Sequence, residues 1–255
     1  MSPVFLIKNQ AHLLPMKKSL YSLILAAFVS MTAAFAQAGE VPSEAVVLSV
    51  AGMPMVSIHG QAPIGLKAGD KLSEGAVVTT PANSEVVFKA FEHSETTLKA
   101  NSRMTLSKLS LTTENGKITK QTALLDLSVG GVVSQLDPKL KEINDYGIRT
   151  PRGIAAARGT KYAVYVGSSG YVTTLVLEGT VVFVNQSSGQ RVEVKTGFAV
   201  TVGPDGKIGE LRPITSGERA AFTGQISTER SLSEFEVIKN DSVDPTIITV
   251  SPSSP

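Results

Sequence analysis

Any chemistry in this chain has to come from few side chains, because its 255 residues include no cysteine and only three histidines. Without cysteine there is no thiolate nucleophile, no disulfide, no cysteine–zinc site and no cysteine to carry a lipid. His12 lies ahead of the expected mature chain. His59 and His93 are not spaced with another histidine or a carboxylate as metal ligands usually are. Each reads as a loop or surface histidine. Serine catalysis needs its nucleophile on a shaped turn, and no Gly-x-Ser-x-Gly elbow is present. Ser168-Ser169-Gly170 reads instead as the loop of a hairpin between Val166 and Tyr171. Gly130-Gly131 leads into Val132-Val133, a strand pattern and not the helix N-terminus that a phosphate cradle requires. Two carboxylates could be paired by any fold, but nothing singles out a pair. The residues therefore predict no catalytic group, no metal and no cofactor, and the chain is expected not to be an enzyme.

The one local cluster suited to a partner is Arg149, Arg152 and Arg158. The planar guanidinium favours interface hot spots and anionic ligands. A structural reading stands beside it: Arg158, before Gly159, would bond carbonyls at a corner, with Arg149 and Arg152 solvated. Tyr162, Tyr165 and Tyr171 read as core or cross-strand residues rather than a carbohydrate platform.

The elements that must position these residues are β-strands. From Glu40 to about Arg212, short β-prone runs alternate with glycine, proline, asparagine or serine. They are Val86 to Ala90, Thr97 to Leu106, Leu124 to Val129, Lys161 to Val166, Tyr171 to Leu177, Thr180 to Val184, Arg191 to Val194 and Phe198 to Val202. Leu98, Ala100, Met104 and Leu106 alternate as in a strand with one buried face, whereas Tyr162 to Val166 is apolar on both faces. Helical periodicity is nearly absent before residue 213. Gly69, Gly75, Gly130, Gly179 and Gly197 each have an aliphatic residue three before and three after. Each unit reads as a strand ending inward, a tight corner at positive φ, and a new strand starting inward. Thr80-Pro81 and Thr150-Pro151 form a second repeated device, in which proline ends ladder pairing or sits on an edge. The pattern predicts an all-β fold of solenoid-like or rolled type with some internal duplication, and a plain sandwich would give much the same pattern. Thr215-Ser216-Gly217-Glu218 predicts a capping box and a short helix through Ala220-Ala221-Phe222, and Asp241 to Pro255 is expected to lack fixed structure.

Met16-Lys17-Lys18, the apolar run Leu20 to Ala34 and Ala34-Phe35-Ala36 have the three-part layout of a secretory signal, with cleavage before Gln37 and a second possible site at Ala36-Gln37-Ala38. The alternative is an uncleaved membrane anchor. Met16 is the expected start, and the expected organisation is residues 1–36 as extension plus signal peptide, 40–212 as a β domain and 213–255 as helix and tail. Residues 1–36 carry Lys8, Lys17 and Lys18 and no acid, which leaves 21 basic against 22 acidic residues in the remainder. So near-neutral a chain gives no electrostatic case for nucleic acid.

Gly147-Ile148-Arg149-Thr150-Pro151 through Ala157-Arg158-Gly159-Thr160-Lys161-Tyr162-Ala163-Val164 resembles the periplasmic FecR domain family. So do Glu178-Gly179-Thr180-Val181 and Lys195-Thr196-Gly197 further on, and Leu66-Lys67-Ala68-Gly69-Asp70 with Leu72-Ser73-Glu74-Gly75 upstream. The similarity runs from about Val50 to Val202. Thr150, Pro151, Gly159, Thr160, Glu178, Gly179 and Gly197 are the residues that carry the motif. The resemblance implies a β-solenoid-like domain with a role in sensing or protein contact, since the family's best-known members relay an iron-uptake signal to a sigma factor. This chain departs from them. At most 19 residues precede its apolar segment, too few for a sigma-binding region, so it is not expected to relay a signal across a membrane alone. The family's early tryptophan is missing, and Phe91-Glu92-His93-Ser94 replaces its usual Asp-Gly-Ser hairpin. The expected function is an exported, periplasmic or secreted binding module with an envelope protein as partner and no transmembrane helix after cleavage. The alternative is a structural or carbohydrate-binding envelope protein.

Overall fold

The computed structural model describes residues 39–223. The expected signal segment, with Met16 and the expected cleavage before Gln37, and residues 224–255 lie outside the described residues. The N-terminal strands are β1 (Gly39–Pro42), β2 (Ala45–Ala51), β3 (Met55–Ser57), β4 (Ile64–Gly65), β5 (Lys71–Leu72) and β6 (Val77–Thr80). Next come β7 (Glu85–Lys89), β8 (Ser94–Leu98), β9 (Ser102–Glu114) and the 20-residue β10 (Lys117–Leu136). A single 3₁₀ turn, Pro138–Leu140, leads to β11 (Asn144–Thr150), β12 (Gly153–Ala157), β13 (Lys161–Val166) and β14 (Val172–Glu178). The chain continues through β15 (Thr180–Asn185), β16 (Arg191–Lys195), β17 (Phe198–Val202), β18 (Arg212–Pro213) and the helix α1 (Ser216–Thr223).

Two sheets share β10. Up to Val129 it pairs with β9 and, in parallel, with β11; from Gly130 onward it pairs with β13 and β8. The first sheet runs β4–β3–β6–β9–β10–β11–β12–β15–β16, with β1 beside the far end of β9. The second runs β5–β2–β7–β8–β10–β13–β14–β17–β18. No described pairing joins the outer strands of either sheet, so both are open. The all-β reading holds, with one short helix, and the pairing gives two open sheets and no closed coil. Each strand sends alternate side chains inward. One core results, in which Phe88, Leu98, Leu106, Leu125, Ile148, Tyr162 and Phe183 are fully buried. Within it the Tyr146 hydroxyl bonds to Thr96 and Ser134. Burial pushes the Tyr146 phenol up to about 12 against the opposing pull of those hydrogen bonds, so it stays neutral at ordinary pH.

The glycine corners are where sequence and geometry meet most closely. Gly69, Gly75, Gly130, Gly179 and Gly197 all have φ between 84° and 91°, a region that suits glycine and strains other residues. Their flanking aliphatics are buried, except Val182, which is 37 % exposed. At Gly130 the chain does not turn back; β10 passes there from one sheet to the other. The crossing is tied down by Ser102, whose Oγ accepts from the Gly131 N–H (2.9 Å) and whose own N–H donates to Thr80 Oγ1 (3.1 Å).

Both Thr-Pro devices end a strand, β6 at Thr80 and β11 at Thr150, and both threonines are buried. Thr150 Oγ1 donates to the Gly153 carbonyl (2.9 Å) and accepts from the Arg152 and Gly153 N–H groups (3.2 Å each). Thr150→Val keeps the shape and removes all three bonds. It is expected to cost about 1–3 kcal/mol, read as a lower urea midpoint at unchanged m-value.

The β13 and β14 strands are buried on both sides, as their sequence predicts, because α1 covers the outer face of the second sheet. Phe222 and Ala221 of the helix pack with Val133, Ala163, Leu175, Leu177 and Ala199. The helix opens with the predicted capping box: Thr215 Oγ1 accepts from the Glu218 N–H (3.1 Å), and Glu218 Oε2 accepts from the Thr215 N–H (2.9 Å). Glu218 is 2 % exposed and holds Arg212 through two bonds of 2.8 and 2.6 Å.

Candidate functional site

The hairpin turn at Thr150–Gly153 divides the three arginines. Arg149 lies in β11 beside Asp126 of β10, its register partner, and bonds it at 3.2 Å. Arg152 is turned away, its Nε donating to the Gly170 carbonyl (3.1 Å). Arg158 is exposed at the far end of β12, without a bonded partner among the described residues. Of the three, only Arg158 has no bonded partner among the described residues; Arg149 is held by Asp126, and Arg152 takes the carbonyl-bonding role that the structural reading gave to Arg158. Of the tyrosines, Tyr162 is in the core, and Tyr165 and Tyr171 are half-buried.

Five of the seven motif residues, in contrast, converge, while Thr150 and Pro151 stay at the opposite end of β12. Gly159, Glu178 and Gly179 line an open cleft of about 610 Å³ at the end of the second sheet, with His93, Glu95, Gln135, Asp137, Pro138 and Lys161. Gly159 allows close approach: an added Cβ would lie 2.6 Å from the Pro138 Cα. Thr160 Oγ1 donates to the Thr180 carbonyl (2.9 Å), so the Arg-Gly-Thr and Glu-Gly-Thr segments brace each other. Thr196 Oγ1 accepts from the Gly179 N–H (2.9 Å), which ties the Gly179 corner to the one at Gly197.

Across the cleft floor, register places Glu95, Gln135, Lys161 and Glu178 side by side on four adjacent strands. Glu95, Lys161 and Glu178 have no hydrogen-bond or ion-pair partner among the described residues. The row carries two carboxylates and one ammonium around a neutral glutamine and is open to solvent, which suits a polar partner surface. Sequence reasoning set His93 aside as a loop or surface histidine and missed Glu95 and Lys161, because their adjacency comes from pairing between distant strands and leaves no local spacing signal. Among the described residues no group of three metal-ligating side chains comes together. No described helix is long and apolar enough to cross a membrane.

No curated protein matches the chain. Two crystal structures of a protein from Parabacteroides distasonis ATCC 8503, provisionally named an anti-sigma factor, overlap part of it. Each is 12 % identical and covers 57 % of this chain, with TM-scores of 0.44 and 0.43. The chain in turn spans 63 % and 62 % of those two chains, under two thirds of their length. Residues 76–182, from the corner after Gly75 through β10 to the third residue of β15, match the model of the family described as FecR protein, the family that the Thr-Pro and Arg-Gly-Thr motifs resemble.

Proposed function

We propose that this chain is an exported, non-catalytic binding or sensing module that acts by protein–protein contact in the cell envelope. The match of residues 76–182 to the FecR family carries this reading. Its supports are the unpaired charged row beside the motif corners and the accessible Arg149 and Arg158. Residues 1–36 act as extension and cleaved signal, with Met16 the functional start; residues 40–212 form the module, and residues 213–255 serve as helix and tail. The strand that changes sheets and the parallel β10–β11 pair support a place among rolled β architectures.

Fractionation of cells expressing the tagged chain, with intact mass of the product and cross-linking in the envelope, tests this. A species beginning near Gln37, cross-linked to an envelope protein and released by Lys161→Glu or Arg158→Glu, is the expected result. Cytoplasmic retention of the whole chain, or turnover of a substrate by the purified product, would falsify it.

A further inference from the structure

The outer faces of the two sheets are treated differently. That of the second sheet is covered by α1, whose Phe222 ring lies over Gly131, 3.4 Å from where a Cβ would stand, next to Ala163 and Ala199. The outer face of the first sheet has the same small-residue trough and no helix on it among the described residues. One cross-strand row there is Leu124, Gly147, Ala156 and Val182; the next is Asp126, Arg149, Ile154, Val184 and Arg191. A Cβ on Gly147 would meet Leu124 and Ile154 at 3.3 Å, so these two side chains already shield the buried Gly147, and the open part of the trough is Ala156 beside Val182. Ala156 is exposed and Val182 is 37 % exposed.

The charges around the trough are unbalanced. Asp126 already has Arg149 (3.2 Å), and Glu193, which faces Val182, has Lys195 (4.0 Å). Arg158 and Arg191 are exposed and have no partner among the described residues. An occupant must therefore bring apolar side chains for the trough and carboxylates for the arginines.

We infer that this face seats an amphipathic helix of a partner protein, with a bulky apolar residue over Ala156 and Val182 and acidic residues toward Arg158 and Arg191. The inference rests on the reading of the chain as a protein-contact module, and α1 shows how the fold seats such a helix on its other face.

The test uses two synthetic helical peptides of about 18 residues, both with a leucine stripe, one flanked by glutamates and one by lysines. Binding to the mature chain is followed through the backbone amide resonances. The acidic peptide is expected to shift Gly147, Ala156 and Val182 and to bind about tenfold tighter than the basic one. Ala156→Glu and Arg191→Glu should each weaken it about tenfold, whereas Lys71→Glu, on the edge strand β5 of the second sheet, should not. Four results overturn the inference: no shift at millimolar acidic peptide, equal binding of both peptides, shifts confined to the cleft, or the same residues responding instead to phosphatidylglycerol vesicles or to dimerisation of the chain. Envelope cross-links that persist in Ala156→Glu would sink this inference and leave the protein-contact reading standing.

Discussion

Gly130→Val is expected to destabilise the domain by about 3–6 kcal/mol, enough to unfold much of a population whose total stability is of ordinary size. Two costs combine. A β-branched residue is strained at φ 91°, and the new Cβ would lie 2.5 Å from the Ser102 Cα, which is backbone and cannot step aside. Moving Ser102 also breaks its bonds to Gly131 and Thr80, so the damage spreads to the first Thr-Pro corner. Gly69→Ala is the control, because Gly69 has φ 90° but nothing within 4 Å of an added Cβ. It should cost only the strain, about 1–2 kcal/mol. Guanidinium denaturation of Gly130→Ala beside Gly69→Ala decides the matter: equal midpoints would mean that the crossing is not packed against Ser102.

The second large effect belongs to Arg212. Arg212→Met removes the bidentate partner of a carboxylate that is 2 % exposed and is expected to release α1 from the second sheet, a loss of about 3 kcal/mol. Burial alone raises the Glu218 pKa; the Arg212 guanidinium and the Thr215 N–H outweigh it, and the group ends below its ordinary value of 4.5. A depressed carboxylate contributes stability that is present above the unfolded pKa and is lost as pH falls through the folded one. Wild-type α1 should therefore stay docked at neutral pH and loosen only in acid, below 4.5. In Arg212→Met the amides of residues 219–222 should exchange about a hundredfold faster already at pH 7. Unchanged exchange there would show that apolar packing by Phe222 holds the helix without the ion pair.

These effects rest on features with uneven visibility in the sequence. The glycine corners were legible because the need for positive φ is local and the flanking aliphatics mark where each strand turns inward. Val182 is the exception because it points to the uncovered face of the first sheet, which no local pattern reveals. The capping box was legible for the same local reason, as was the break at each Thr-Pro. Thr97 to Leu106 reads as one strand but is two, since Asn101 takes φ 53° and separates β8 from β9. Only Leu124 to Val129 of β10 stood out. Its first six residues are mainly polar, and the Gly130-Gly131 pair looks like an end when it is a passage between sheets. The arginines were close in sequence and separate in space, because a four-residue turn sends Arg152 to another strand's loop. The cleft row was invisible: its four members lie between residues 95 and 178 and meet only through pairing.

The place of β10 between the sheets has a consequence for how the chain acquires its structure. Every other strand reaches the opposite half of its sheet only through β10. Without it the described strands fall into four disconnected groups, two drawn from β1–β9 and two from β11–β18. A chain emerging from its N-terminus can assemble hairpins early, but it cannot join them until residue 136 has appeared. Even then each sheet awaits its second wing. Contact order is correspondingly high and folding correspondingly slow, and until β10 is in place the strand edges that it joins stay unpaired.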